Sequence, residues 1–192
     1  MALNQSAENE LELVEQARNG DRAAYGELVR FHYPGVVHVV YRLCGDAALA
    51  EDMAQEAFLR AWINLSSFRP GSPLRNWLYR IAVNAALDVL RRRSEDSLED
   101  ERMEMLTDQA PDPEAVVIER EQVAFVQKAM DSLPEAARTV LVLREYGELS
   151  YQEIASVLDI PLGTVMSRLN YARTRLRDLL KAQSVHREYE YA

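Results

Sequence analysis

A chain of 192 residues that is 48% hydrophobic and 28% charged has the composition of a globular protein, long enough for one domain or two small ones. No apolar run approaches the roughly 18 residues of a membrane span, and the start, with Glu8, Glu10, Glu12 and Glu15, lacks the basic and apolar segments of a signal peptide. The net charge of −9 argues at first against a polyanionic partner, and the single cysteine, Cys44, excludes an internal disulfide and disfavours a cysteine-based metal site.

In chain order, the spacing predicts a first helix near Glu8 to Asn19, stopped by Gly20. Asp21 is placed to cap a second, in which Tyr25, Leu28 and Val29 recur at helical spacing. Pro34 predicts the opening of a third, Val36 to Leu43, ending before Gly45, with Cys44 as small filler at its apolar end. Asp46 caps a fourth. Leu49, Met53, Ala57 and Ala61 make its apolar stripe, and the acids Glu51, Asp52 and Glu56 lie elsewhere. Asn64 to Ser72 reads as a loop. Pro73 then opens a fifth helix, Leu74 to Arg93, with Leu74, Leu78, Ile81, Ala82, Ala85 and Val89 toward a core.

From Ser94 to about Pro113 no apolar periodicity persists, and Pro111 and Pro113 stop any helix. The expected architecture is therefore all-α. Two small helical domains, 1–93 and 114–183, are joined by a flexible acidic linker, 94–113, and followed by a short tail, 184–192. The acids of this region also dispose of the charge objection. Between Ser94 and Glu121 there are eleven acids and two bases, so the segment carries 2 − 11 = −9, the whole net charge. Phe58 to Arg93, by contrast, holds seven arginines and one acid, Asp88. Local patches decide binding here.

The last third carries the sharpest pattern. Ser150 and Glu153 form a capping box, so a short helix begins near Tyr151, with Ile154, Ala155 and Leu158 as its core face. Asp159-Ile160-Pro161 breaks it, and Pro161 suits the first position of the next helix. In that helix Val165, Leu169, Ala172 and Leu176 share one stripe, continued by Leu179 or Leu180. Ser167, Asn170, Tyr171 and Thr174 lie opposite, flanked by Arg168 and Arg175 on one side and Arg173 and Arg177 on the other. A polar strip between two rows of arginine suits a helix in a DNA major groove, its centre on base edges and its flanks on phosphates. This is the layout of a helix-turn-helix. The three histidines are scattered, and no nucleophile motif or glycine-rich phosphate loop is present. The expectation is recognition without catalytic residues, metal or cofactor.

Three stretches, DAALAEDMAQEAFLRAW, FRPGSPLRNWLYRIAVNAALDVLRRR and the helix ending GTVMSRLNYARTRLR, closely resemble bacterial RNA polymerase sigma factors of the extracytoplasmic-function group. The resemblance spans about residues 10–93 and 115–181. It implies a region 2 and a region 4 that bind core RNA polymerase, at the β′ clamp helices and the β flap, and direct it to promoter DNA. It implies further that Glu51, Asp52, Gln55, Glu56 and Phe58 form the polymerase-binding segment. The −10 element would be read and opened by Phe68, Arg69, Arg75, Asn76, Arg80 and Asn84. Phe68 and Asn84 would make the base pocket and the arginines would hold phosphates, while Trp77 fits core support better. Thr164, Met166, Ser167, Arg168, Asn170, Tyr171, Arg173 and Arg177 would face the −35 element. Met166 and Asn170 depart from residues common in relatives, so base preference does not transfer. The family also implies an anti-sigma partner and an acidic linker that passes through basic polymerase channels, while composition points to a cytoplasmic protein with no membrane insertion. Two other readings are a stand-alone helix-turn-helix regulator and a mimic that sequesters an anti-sigma factor. The first leaves the fourth helix and the arginine-rich loop without a role.

Overall fold

The computed structural model describes residues 2–99 and 126–190, with side chains described at 9–93 and 126–181. Among these residues every regular element is helical. Helices α1 (Ala2–Arg18), α2 (Arg22–Cys44), α3 (Ala47–Ile63) and α4 (Leu74–Glu99) form the first unit. Helix α5 is described over 126–131; α6 (Glu135–Glu145), α7 (Tyr151–Leu158) and α8 (Leu162–Glu190) complete the second.

Local chemistry sets most boundaries. The Asp21 carboxylate accepts from the N–H groups of Ala23 and Ala24, and Asp46 accepts from that of Leu49 at 3.0 Å. The Asp46 carboxyl is held below its ordinary range, chiefly by that backbone hydrogen bond, with a smaller contribution from Arg93. Gly45 closes α2 in the left-handed conformation, φ 72°, which costs a glycine little, and its N–H donates to the Tyr41 carbonyl at 2.8 Å. Cys44 packs beside it, and burial pushes its thiol pKa up, in keeping with a filler role.

The expected break at Pro34 does not occur. Pro34 lies inside one continuous helix. Its lost hydrogen bond costs on the order of 3 kcal/mol. Leu28, His32, Val36, Val39, Val40 and Leu43, however, form an unbroken buried stripe through it. Each fully buried valine or leucine contributes about 1.5–3 kcal/mol, so packing outweighs the proline. Helix α1 starts earlier than its periodicity indicated, at Ala2, and α4 runs six residues beyond Arg93, to Glu99. The linker expected at 94–113 thus begins in helix, and from 100 onward it lies outside the described residues, as do 114–125 and all of the tail's side chains.

Helix α6 has no counterpart in the periodicity reading. Five consecutive residues, Thr139, Val140, Leu141, Val142 and Leu143, are buried, so α6 meets neighbours on more than one side, while Glu135, Arg138, Arg144 and Glu145 carry its charge toward the ends. Its surroundings explain this. Buried residues of α2, α3 and α4 and buried residues of α5, α6, α7 and α8 join in one continuous core. Helix α6 lies at its centre, against α2 on one side and α8 on the other.

Candidate polymerase and nucleic-acid interfaces

Helix α3 divides its residues cleanly. Ala50, Ala54, Ala57, Phe58 and Ala61 face the core. Glu51, Asp52 and Gln55 are exposed, and Glu56 is half-buried, ion-paired to Arg60 at 2.7 Å. Phe58 is buried at 6% exposure, so its ring supports this face from below. The outward apolar residues are instead Leu59, 61% exposed, and Ile63, 76% exposed. They continue the Asp52–Gln55 face at helical spacing. Periodicity held the signal: both fall off the stripe of Leu49, Met53, Ala57 and Ala61. Beside Leu59 a shallow hollow of about 490 Å³ is lined by Arg22, Tyr25, Val29, Gln55, Phe58, Leu59 and Trp62. Tyr25 fixes its floor, its ring tilted against Trp62 at 4.8 Å between centroids and its hydroxyl donating to the Phe58 carbonyl at 2.6 Å. An acidic and amide rim leading into apolar surface has the chemistry on which a protein partner can dock.

The arginine-rich loop is held more tightly than its composition implied. Leu65 to Ser67 form one 3-10 turn, and Leu65 and Phe68 are buried at 3% and 2% exposure. The Phe68 ring lies 5.5 Å from Trp77, and the Arg18 guanidinium sits 5.9 Å over it. Arg18 also donates to the carbonyls of Leu65 and Phe68, tying α1 to the loop. Phe68 is therefore core in this conformation. Arg69, Arg80 and Asn84 are exposed, the last two one turn apart on α4. Arg75 is half-buried. Asn76 is buried at 6% exposure and points at the second unit, donating from Nδ2 to Glu153 Oε1 at 2.9 Å.

The helix-turn-helix forms as its caps dictate. Ser150 and Glu153 make the reciprocal capping box, and Asp159 ends α7 in the left-handed conformation at φ 54°. Val165, Leu169 and Ala172 of α8 are fully buried. Outward stand Met166 and Tyr171, 53% and 51% exposed, with Ser167 and Asn170 between them. Thr164 and Arg168 are half-buried at the edge, and the Ser167 hydroxyl donates to the Thr164 carbonyl. Arg177 is exposed. Arg173 turns toward the scaffold, ion-paired to Glu145 at 2.8 Å and donating to the Tyr151 hydroxyl at 3.3 Å. The outward strip thus offers hydroxyl, amide and phenol groups beside cations. If Asn170 binds an adenine edge, Asn170→Ala should relax selectivity at one base pair by ~1–3 kcal/mol. Promoter-variant profiling would show this as one flattened position, and an unchanged profile would refute the assignment.

Glu153 is the electrostatic pivot of this unit. Burial pushes its carboxyl pKa up, but hydrogen bonds from Asn76 and Ser150, with Arg75 nearby, more than offset this and hold it below its ordinary value of 4.5. A depressed folded-state value gives stability that is present above the unfolded value and lost as pH falls through the folded one. Wild type should therefore melt higher than Glu153→Gln at neutral pH, with the gap closing as pH falls below 4.5. A gap that widened in acid would contradict this sign.

Among the described residues no group of three or more His, Cys, Asp and Glu is placed to hold a metal ion, and no helix is long and apolar enough to cross a membrane.

Comparison with known proteins follows the same division. Residues 28–95 match the family model of sigma-70 region 2, and residues 126–176 that of sigma-70 region 4. The chain is 36% identical over 177 residues to the ECF RNA polymerase sigma factor SigW of Bacillus subtilis, covering 88% of this chain and 95% of that protein. It is 37% identical over 170 residues to the ECF RNA polymerase sigma-E factor of Escherichia coli, covering 84% and 88%. Among solved structures, CnrH in complex with the cytosolic domain of CnrY superposes with a TM-score of 0.71 at 28% identity, over 91% of this chain and 98% of that one. The sigma factor RpoE in complex with the anti-sigma factor NepR, from Bartonella quintana, gives 0.68 at 26% identity, over 82% and 96%.

Proposed function

Because the chain belongs to the extracytoplasmic-function group of RNA polymerase sigma factors, we propose that its residues divide the work of that family as follows. The protein binds core RNA polymerase and directs promoter-specific initiation, under the control of an anti-sigma factor. Asp52, Gln55 and Leu59 dock on the polymerase clamp, with Glu51 and Glu56 at the rim and Phe58 beneath. Arg69, Arg80 and Asn84 engage the −10 strand; Arg75 and Asn76 join them once they are uncovered. Met166, Ser167, Asn170 and Tyr171 read the −35 duplex. Thr164 and Arg168 sit at its edge, Arg177 reaches phosphate, and Arg173 braces the reading helix against α6 and α7. The domains divide at the acidic segment, 94–113. The polymerase supplies RNA synthesis and this chain supplies recognition, so it acts in the cytoplasm without a catalytic residue or cofactor of its own.

The observation that carries this reading is the pairing, on one chain, of an outward acidic and apolar face on α3 with an outward polar strip on the second helix of a helix-turn-helix. A stand-alone DNA regulator has no use for the first, and a mimic that only sequesters an inhibitor has no use for the second. The test is a pair of binding measurements on the intact protein. Core polymerase should capture it, and the resulting holoenzyme should retain a −35 duplex with strong salt dependence. If Arg168, Arg175 and Arg177 each neutralise one phosphate, region 4 contributes a log–log slope of about −2.7. Duplex binding without polymerase capture would favour the plain regulator, and polymerase capture without duplex binding the mimic.

A further inference from the structure

The two units are packed together across surfaces that the function requires to separate. Helix α2 meets α6, and α4 meets α7. At one end the Arg42 guanidinium lies 4.8 Å over the Tyr146 ring, with His38 against the same ring at 5.3 Å. In the middle Tyr79, 5% exposed, presses on Gly147: a Cβ added there would meet the Tyr79 ring at 3.3 Å and the Leu143 carbonyl oxygen at 2.7 Å. At the other end lies the Asn76–Glu153 hydrogen bond, the buried polar link between a residue assigned to the −10 strand and the first helix of the helix-turn-helix.

Two lengths show that this arrangement cannot be the one that works on a promoter. Elements named −35 and −10 lie about 25 base pairs apart, roughly 85 Å along a straight duplex at about 3.4 Å per step. Here Asn76 touches Glu153, and from Glu153 through the turn to Arg177 at the far end of the reading strip the chain reaches at most about 45 Å, at about 1.5 Å per helical residue and about 3.6 Å per extended one. Closed, the protein reaches one element at a time.

The local chemistry identifies the part that both holds and releases. Glu153 uses one oxygen, Oε2, to accept from the Ser150 N–H at 2.8 Å and the Ser150 hydroxyl at 2.7 Å, completing the α7 cap. Its other oxygen, Oε1, is left to accept from Asn76. Separation of the units therefore costs the reading domain nothing in its own cap. Asn76, by contrast, is poorly satisfied where it sits: its Oδ1 is buried with no hydrogen-bond partner among the described residues. A buried amide oxygen without a partner is penalised, which weakens the closed state and favours exchange for a surface where both amide groups are used. The Arg75 Nε beside it is likewise buried without a partner.

We propose that Asn76 and Glu153 form an intramolecular latch that keeps the resting protein closed, with the −10-reading end of α4 covered by the helix-turn-helix, and that opening transfers Asn76 from Glu153 to the promoter strand. The latch makes exposure of Asn76 and separation of the two DNA-reading units a single event. It rests on the function proposed above for the purpose of opening, but the closed state and its latch are properties of the protein alone and are tested without polymerase or DNA.

The experiment is small-angle X-ray scattering on the full chain. Asn76→Asp sets a carboxylate against Glu153 and should shift the closed-to-open ratio at least tenfold toward open, seen as a larger radius of gyration with helical content by circular dichroism retained. Asn76→Asp combined with Glu153→Gln restores the bond with donor and acceptor exchanged. Glutamine also serves at the third position of a capping box, so α7 keeps its cap. The double variant should return to the wild-type radius, a coupling that a general loss of stability would not produce. If Asn76→Asp loses helical content, Asn76→Ala replaces it as the opening variant. A radius unchanged by the opening variant, or a double variant as expanded as Asn76→Asp, would overturn the latch. Failure to bind polymerase would overturn the proposed function and leave these scattering results standing.

Discussion

Leu59→Asp should abolish polymerase-dependent initiation, lowering affinity for core polymerase about a hundredfold, close to 2.7 kcal/mol. Leu59 is 61% exposed on α3, beside Gln55 and above the hollow floored by Tyr25, Phe58 and Trp62. An exposed leucine over a preformed apolar hollow is the geometry in which a partner side chain is fully desolvated, and a carboxylate placed there must be buried unpaired. The fold has no stake in the residue, so the melting temperature should stay within a few degrees and −35 duplex binding by the purified protein should not change. Competition binding against core polymerase, with a thermal melt as control, separates these effects. An affinity loss under threefold would remove Leu59 from the docking face and return the burden to the acids Glu51 and Asp52.

Phe68→Ala should act in the opposite manner, through stability. The ring is 2% exposed, packed on Trp77 and covered by Arg18, so its removal costs about 3–5 kcal/mol. At roughly 2–4 °C per kcal/mol for a chain of this size, the melting temperature should fall by on the order of 10 °C. Arg18, which binds the carbonyls of Leu65 and Phe68, would lose the ring it rests on, and the loop carrying Arg69 would loosen. The −10 defect would then follow from a displaced loop. A base-reading Phe68 predicts the reverse: an unchanged melt and a selective loss at one −10 position. Differential scanning calorimetry together with promoter-variant transcription distinguishes them.

These two residues also show what the sequence discloses. Caps are local, so Asp21, Asp46 and the Ser150–Glu153 box were legible from residue type and spacing alone. The reading helix was legible for the same reason, since its stripe of Val165, Leu169 and Ala172 has one partner surface and a clean opposite face. Pro34 is a local breaker by residue type, and the tertiary stripe that overrides it is not local. Periodicity leaves α6 unread because its buried run, Thr139 to Leu143, is consecutive and follows no single stripe. Residue type and family pattern point Phe68 and Asn76 at DNA, whereas their exposure depends on Trp77, Arg18 and Glu153, the last of them 77 positions away from Asn76. No spacing rule carries a contact of that range. Leu59 and Ile63, by contrast, were available: an apolar pair off its own helix's stripe is a surface in search of a partner.

The central claim, that this chain directs core polymerase to promoters, is tested most directly by in vitro transcription on fragmented genomic DNA with core polymerase, with and without the protein. Discrete new start sites that depend on the protein, each preceded by shared −35 and −10 sequences, are the predicted result. Polymerase that binds the protein yet starts nowhere new would contradict it.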